Sequence, residues 1–152
     1  MDPFDIDWQL VASNLIHLGI AYLLALPIGW ERERTASSAG LRTFPLVAVA
    51  VCGYMLIGMS VFADEEARSR VVQGMLTGIG FIGGGVILKN DTNVRGLATA
   101  AAIWSTGAVG LAVSFGRLEI ALLLSLLTFV TLRFLEPLKT FIHKQSSSDR
   151  DL

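Results

Sequence analysis

Side chains able to do chemistry are sparse in this 152-residue chain, and where they fall matters more than how many there are. The histidines are His17 and His143 and the one cysteine is Cys52. No Ser-His-Asp set and no Cys/His metal cluster can be assembled from them, so an enzyme reading has nothing to rest on. Magnesium and calcium take oxygen ligands, usually carboxylates. The long uncharged stretches of the chain hold no Asp or Glu, which disfavours a cation pump built on buried carboxylates. No cofactor is expected, and the net charge of −1 gives no reason to expect nucleic acid.

Three groups of residues remain as candidates. The first is intramembrane and polar: Asn14 and His17, three apart on one helix face, and Gln73. For the Asn14–His17 pair, one reading is an interhelical hydrogen bond. The other is a proton or ion relay, because an ionisable group inside a bilayer is costly. The second group is a polar cluster: Glu31, Arg34, Arg42 and Thr43 around one loop, Arg95, Thr99 and Trp104 around another, and Arg70. The third is a run of glycines, Gly74, Gly78, Gly80, Gly83, Gly84 and Gly85. Glycine weakens helices, so this density needs a reason. Gly74–Gly78 and Gly80–Gly84 are GxxxG spacings that let helices pack closely in lipid. Alternatively, Gly83 to Gly85 breaks the helix and lines a cavity, whose backbone carbonyls could hold an ion. The letters from Gly78 to Gly83 also match GxGxxG, but neither a preceding strand nor a following acidic residue is in place.

The elements that position these residues come from the distribution of charge. Hydrophobic residues make up 53% of the chain, charged ones 16%, and the mean hydropathy is +0.60. Leu10–Trp30, Thr43–Ala63 and Gly96–Gly116 are each 21 residues without Asp, Glu, Lys or Arg, and Val71–Leu88 is 18. Each is near the roughly 20 residues a helix needs to cross about 30 Å of hydrocarbon. A shorter run, Ile120–Leu132, continues as an apolar pattern past Arg133, which can snorkel or pair with Glu136. The reading is an all-α polytopic membrane protein with about five spans, near residues 9–30, 43–63, 71–88, 97–116 and 118–138. Residues 1–8 form a short outer tail and 139–152 a polar, disordered one. The small residues Ala98, Ala102, Thr106 and Gly110, at four-residue spacing, give the fourth span a thin face. That face is expected to meet the glycines of the third, so that Leu at Gly78 or Gly80 would push the helices apart. With the N-terminus outside, inner segments hold nine Lys and Arg and outer ones three, which favours a cytoplasmic C-terminus.

Four stretches now stand out as a set: GWERER at 29–34, AGLRTF at 39–44, GIGFIGGGVIL at 78–88 and NVRGLATAAAIW at 93–104. In this order and spacing they resemble the MgtC/SapB family of bacterial inner-membrane proteins. The chain departs from the family pattern at Ala67, Gly74 and Ala98. The resemblance implies an inner-membrane, multi-pass protein with a role in magnesium-limited growth and, in pathogens, survival in host cells. It also implies a non-enzymatic regulator that binds another membrane protein, with the ATP synthase as the family's example of a partner. The chain ends before the cytoplasmic C-terminal domain of longer relatives. An ion transporter or channel for Mg²⁺ or H⁺ is the alternative, and the GxxxG faces allow a homo-oligomer in contact with membrane lipid.

Overall fold

The computed structural model describes residues 6–35, 39–90 and 93–148, without the side chains of residues 90, 93 and 136–148. The chain forms α1 (Trp8–Arg34), α2 (Thr43–Val61), α3 (Glu65–Gly85), β1 (Leu88–Asn90), β2 (Asn93–Arg95), α4 (Leu97–Ser114) and α5 (Leu118–Ser148). It is therefore an all-α membrane protein with one small hairpin, β1 pairing antiparallel with β2.

Local chemistry explains the helix ends. The Asp7 carboxylate accepts from the backbone N–H groups of Gln9 and Leu10 at 2.9 and 3.2 Å and starts α1. Asp64 does the same for α3 through Ala67, and Glu65 and Glu66 suit the positive end of its dipole. Arg68 reaches back to donate to the carbonyl of Phe62 at 2.7 Å, closing the end of α2. At the other end of α3, the glycine triplet forms the last turn. Val86 N–H donates to Gly83 and Ile87 N–H to Gly84, at 3.3 and 3.2 Å. The helix is thus continuous to Gly85, and the triplet ends it rather than breaking it in mid-membrane. The uncharged run continues past the end of the helix, and its last residue, Leu88, begins the hairpin.

Helices α1, α2, α4 and residues 118–135 of α5 are long and apolar enough to cross a membrane. The segment with the shortest uncharged run thus qualifies. Helix α3 is not among the four, since charged residues and glycines dilute it. Its path nevertheless follows from its neighbours. Arg133 of α5 lies beside Glu31 of α1, so the later parts of these helices share one end, here called the Glu31 end. The tight turn at Gly116 reverses the chain between α4 and α5, so α4 begins at the Glu31 end. Helix α2 also begins near that end and finishes at the other. Helix α3 must therefore run the length of the bundle to connect α2 with α4.

The centre of the bundle is the contact between α2 and α4. A Cβ on Gly110 would strike the carbonyl oxygen of Ala48, and one on Gly107 would strike the side chain of Ile79. The thin face of α4 thus serves mainly α2, and α3 inserts Ile79. This corrects the expected glycine pairing. Among the described residues, nothing lies within 4 Å of a Cβ built on Gly74, Gly78, Gly80, Gly84 or Gly85, and of the six Gly83 faces α4, at Ala100. Glycine spacing shows that a face is thin but not what meets it. Gly74 and Gly78 instead border an apolar groove of about 540 Å³ between α2 and α3.

Two further expectations change. The ring of His17 donates from Nδ1 to the carbonyl of Ser13 at 2.8 Å, within its own helix rather than to a neighbour. The segment after residue 138 is helical as far as Ser148 rather than disordered. The expected Arg133–Glu136 pair involves a side chain outside the described residues. Outward-facing Leu15, Ile16, Leu23, Leu123, Leu126 and Leu127 are exposed on α1 and α5, the pattern expected where lipid is the solvent. Between those helices, Ser125 Oγ donates to the carbonyl of Leu24 at 2.6 Å.

Candidate functional site

The Glu31 end is where charge enters the core. Ala21, Ala25 and Ile28 are fully buried on α1, and the same helical stripe continues through Arg32, with Glu31 beside it. Glu31 is 4% and Arg32 5% exposed. Buried charges persist only when compensated. For Glu31 the partner is Arg133, whose guanidinium stands 3.8 Å from the carboxylate and is half-exposed. At that distance the contact is Coulombic rather than a hydrogen bond. It ties the first helix to the last.

Residues 39–41 are held against α1. Segment 39–41 folds back along α1, so that a Cβ on Gly29 would lie 3.2 Å from the Gly40 carbonyl oxygen. The Glu33 carboxylate accepts from Leu41 N–H at 3.1 Å and holds this fold-back. Gly40 then offers its carbonyl to the N–H groups of Thr43 and Phe44, launching α2. Ala39 and Phe44 are buried in the same core cluster as Ile28 and Leu132. Thr99, in the first turn of α4, is buried at this end too.

The candidate residues therefore divide. Glu31, Arg34, Arg42, Thr43, Arg95 and Thr99 belong to the Glu31 end, with Arg34, Arg42 and Arg95 exposed and Thr43 half-buried. Trp104 lies further along α4 and is 49% exposed. Arg70 is at the opposite end, paired with Glu66 at 2.7 Å. Asn14 and His17 are partly buried in the half of α1 away from the Glu31 end, and Gln73 is exposed on α3. No group of three or more His, Cys, Asp or Glu among the described residues could hold a metal. Sequence reasoning did not single out Arg32 or Glu33, and it read Arg133 as a snorkelling residue or a partner of Glu136 rather than of Glu31. The first had a usable signal, since positions 21, 25, 28 and 32 follow one helical stripe. The pairing with Arg133 had none.

The hairpin that brings Arg95 to this end depends on Gly96, which has φ +90° and no room for a Cβ against the carbonyl of Val86. Gly96→Ala is expected to cost about 2 kcal/mol, from left-handed strain plus the clash. A fall in the melting temperature of the detergent-solubilised protein would register it.

A closed five-helix bundle with apolar outer faces and charge drawn into one end is a polytopic membrane protein without a soluble domain among its described residues. The profile of the MgtC family matches residues 18–141, and the chain belongs to that family. It is 34% identical to Protein MgtC of Brucella abortus (strain 2308) over 91% of this chain and 58% of that protein. It is 35% identical to "Putative magnesium transporter YhiD" of Escherichia coli (strain K12), over 81% of this chain and 60% of that one. Protein SrpB of Synechococcus elongatus is 34% identical over 95% of this chain and 85% of its own length. The chain thus spans about three-fifths of the MgtC and YhiD relatives. No solved structure matches it.

Proposed function

We propose that the chain is a non-enzymatic regulator in the bacterial inner membrane, linked to magnesium homeostasis, that binds another membrane protein through its Glu31 end. The carrying observation is the contrast between that end and the bundle behind it. Buried Glu31 and Arg32, segment 39–41 held by Glu33, and the paired β1 and β2 fix an end that exposes Arg34, Arg42 and Arg95. Behind it, Gly110 against Ala48 and Ile79 against Gly107 close the interior. A rigid polar end on a closed bundle suits docking better than passage. The excess of Lys and Arg in the segments at this end supports placing it in the cytoplasm. The name of the YhiD relative supports the link to magnesium, and family resemblance makes the ATP synthase the first partner to try.

The test is purification in mild detergent from cells grown at low magnesium, with the chain carrying an affinity tag. A stoichiometric membrane partner is expected with the wild type and is lost with Arg34→Glu plus Arg42→Glu. Absence of such a partner across growth conditions would overturn the reading. The name of the YhiD relative favours one other function, transport. For that, purified protein in liposomes should move Mg²⁺ or H⁺ above the rate of empty vesicles.

A further inference from the structure

Among the described residues, neither face of the hairpin at the Glu31 end is covered. β1 and β2 have three residues each, and a two-stranded hairpin standing alone is marginal in water. The strands pair with each other and touch the helices little. Leu88 stands opposite Arg95 on one face, and Lys89 opposite Val94 on the other. Leu88 is 62% and Val94 47% exposed, and Lys89 and Arg95 are exposed with them. Each face thus presents one apolar and one basic side chain. Depth in the membrane gives that pattern a meaning. Helix α4 has 18 residues and is roughly 27 Å long, so all of it is needed to cross about 30 Å of hydrocarbon. Leu97, its exposed first residue, is therefore at the hydrocarbon boundary, and Arg95 lies two residues beyond. Gly96 sits against the Val86 carbonyl and keeps the base of the hairpin at the ends of α3 and α4. Strands of three residues reach about 10 Å, little more than a headgroup layer is deep. Exposed Trp30, next to Glu31, marks the same level, where aromatic side chains gather.

We propose that the β1–β2 hairpin is an interfacial anchor that binds anionic phospholipid in the leaflet at the Glu31 end. Leu88 and Val94 enter the boundary between headgroups and acyl chains, while Lys89 and Arg95 reach phosphate oxygens. Arginine suits phosphate through its paired N–H groups, and lysine as a point charge. Between Leu88 and Arg95 the sequence holds two basic residues and one acidic residue, Asp91, so the charge favours an anionic surface. The two-sided pattern selects lipid over a protein partner. A protein surface would cover one face of the hairpin and leave the apolar side chain of the other in water. A layer of headgroups surrounds both faces at once. The anchor needs lipid alone, so it stands or falls separately from docking of a protein at Arg34 and Arg42.

The test uses the full chain in phosphatidylcholine vesicles, with or without phosphatidylglycerol. Cys52→Ala removes the buried thiol, and a nitroxide spin label is placed through Leu88→Cys, Val94→Cys, Arg34→Cys or Leu123→Cys, one at a time. Power saturation compares collisions with oxygen, which concentrates in lipid, and with a neutral nickel chelate, which stays in water. With phosphatidylglycerol, the oxygen-to-nickel ratio at the two hairpin positions is expected to be at least about threefold above that at Arg34→Cys and below that at Leu123→Cys. It should fall without phosphatidylglycerol, and Lys89→Gln plus Arg95→Gln should produce the same fall, since each basic residue strengthens binding to an anionic surface roughly fivefold. The comparison of the two lipid mixtures needs no change of charge, so it holds even if the double variant misfolds. A ratio at both hairpin positions equal to that at Arg34→Cys would overturn the proposal, as would one that is the same in both lipid mixtures.

Discussion

Gly110→Val is expected to cost about 3 kcal/mol, at the upper end of what overpacking usually costs, and to lower the apparent melting temperature in detergent by roughly 10 °C. The new side chain would point at the carbonyl oxygen of Ala48. Backbone cannot rotate away as a flexible side chain can, so α2 and α4 must separate. Ala48, Cys52, Val109 and Val113 pack in the surrounding cluster and would lose contact together. Gly74→Ala is the matched control, because its Cβ meets nothing within 4 Å. That change should leave stability unchanged or raise it slightly, since alanine is the better helix former. Equal melting temperatures for Gly110→Val and wild type would contradict the central α2–α4 contact.

Glu31→Lys is expected to be of similar size, about 3 kcal/mol, for a different reason. It would place a cation beside Arg133 in a position only 4% exposed, next to buried Arg32. Burial leaves the new charge little water, and its neighbour repels it. Arg133→Ala should cost less, about 2 kcal/mol, because it leaves buried Glu31 without this partner but opens a half-exposed position through which water can reach the carboxylate. The asymmetry is the informative result, measured as the fraction of folded protein after heating in detergent. If Arg133→Ala were as damaging as Glu31→Lys, the pair would be more deeply buried than its geometry shows.

The glycine-rich α3 shows how far sequence carries. Its six glycines promised close packing against α4, and the spacing of each pair was right for it. Only Gly83 is used that way, while the contacts that hold the bundle use Gly107 and Gly110 of α4. Spacing along a helix gives the angle between residues on its own surface, and that angle is the same whichever neighbour arrives. A similar limit applied to His17, whose place among apolar residues in the sequence suggested a neighbouring helix. A carbonyl one turn back was available at lower entropic cost, and the ring took it.

By itself, the sequence determined the solvent, the helical class and the family. Uncharged runs near 20 residues have one stable solution in a bilayer, because every backbone group must then be satisfied within the helix. That is a local requirement and can be read locally. The tertiary structure alone decided which charges are buried and what compensates them. Glu31 lies near the start of the chain and Arg133 near its end, and they meet because α1 and α5 finish at the same end of the bundle. Tertiary structure also showed that, among the described residues, the polar and glycine face of α3 is left uncovered. Both depend on which helix lies beside which, a property of the assembled bundle rather than of any one segment.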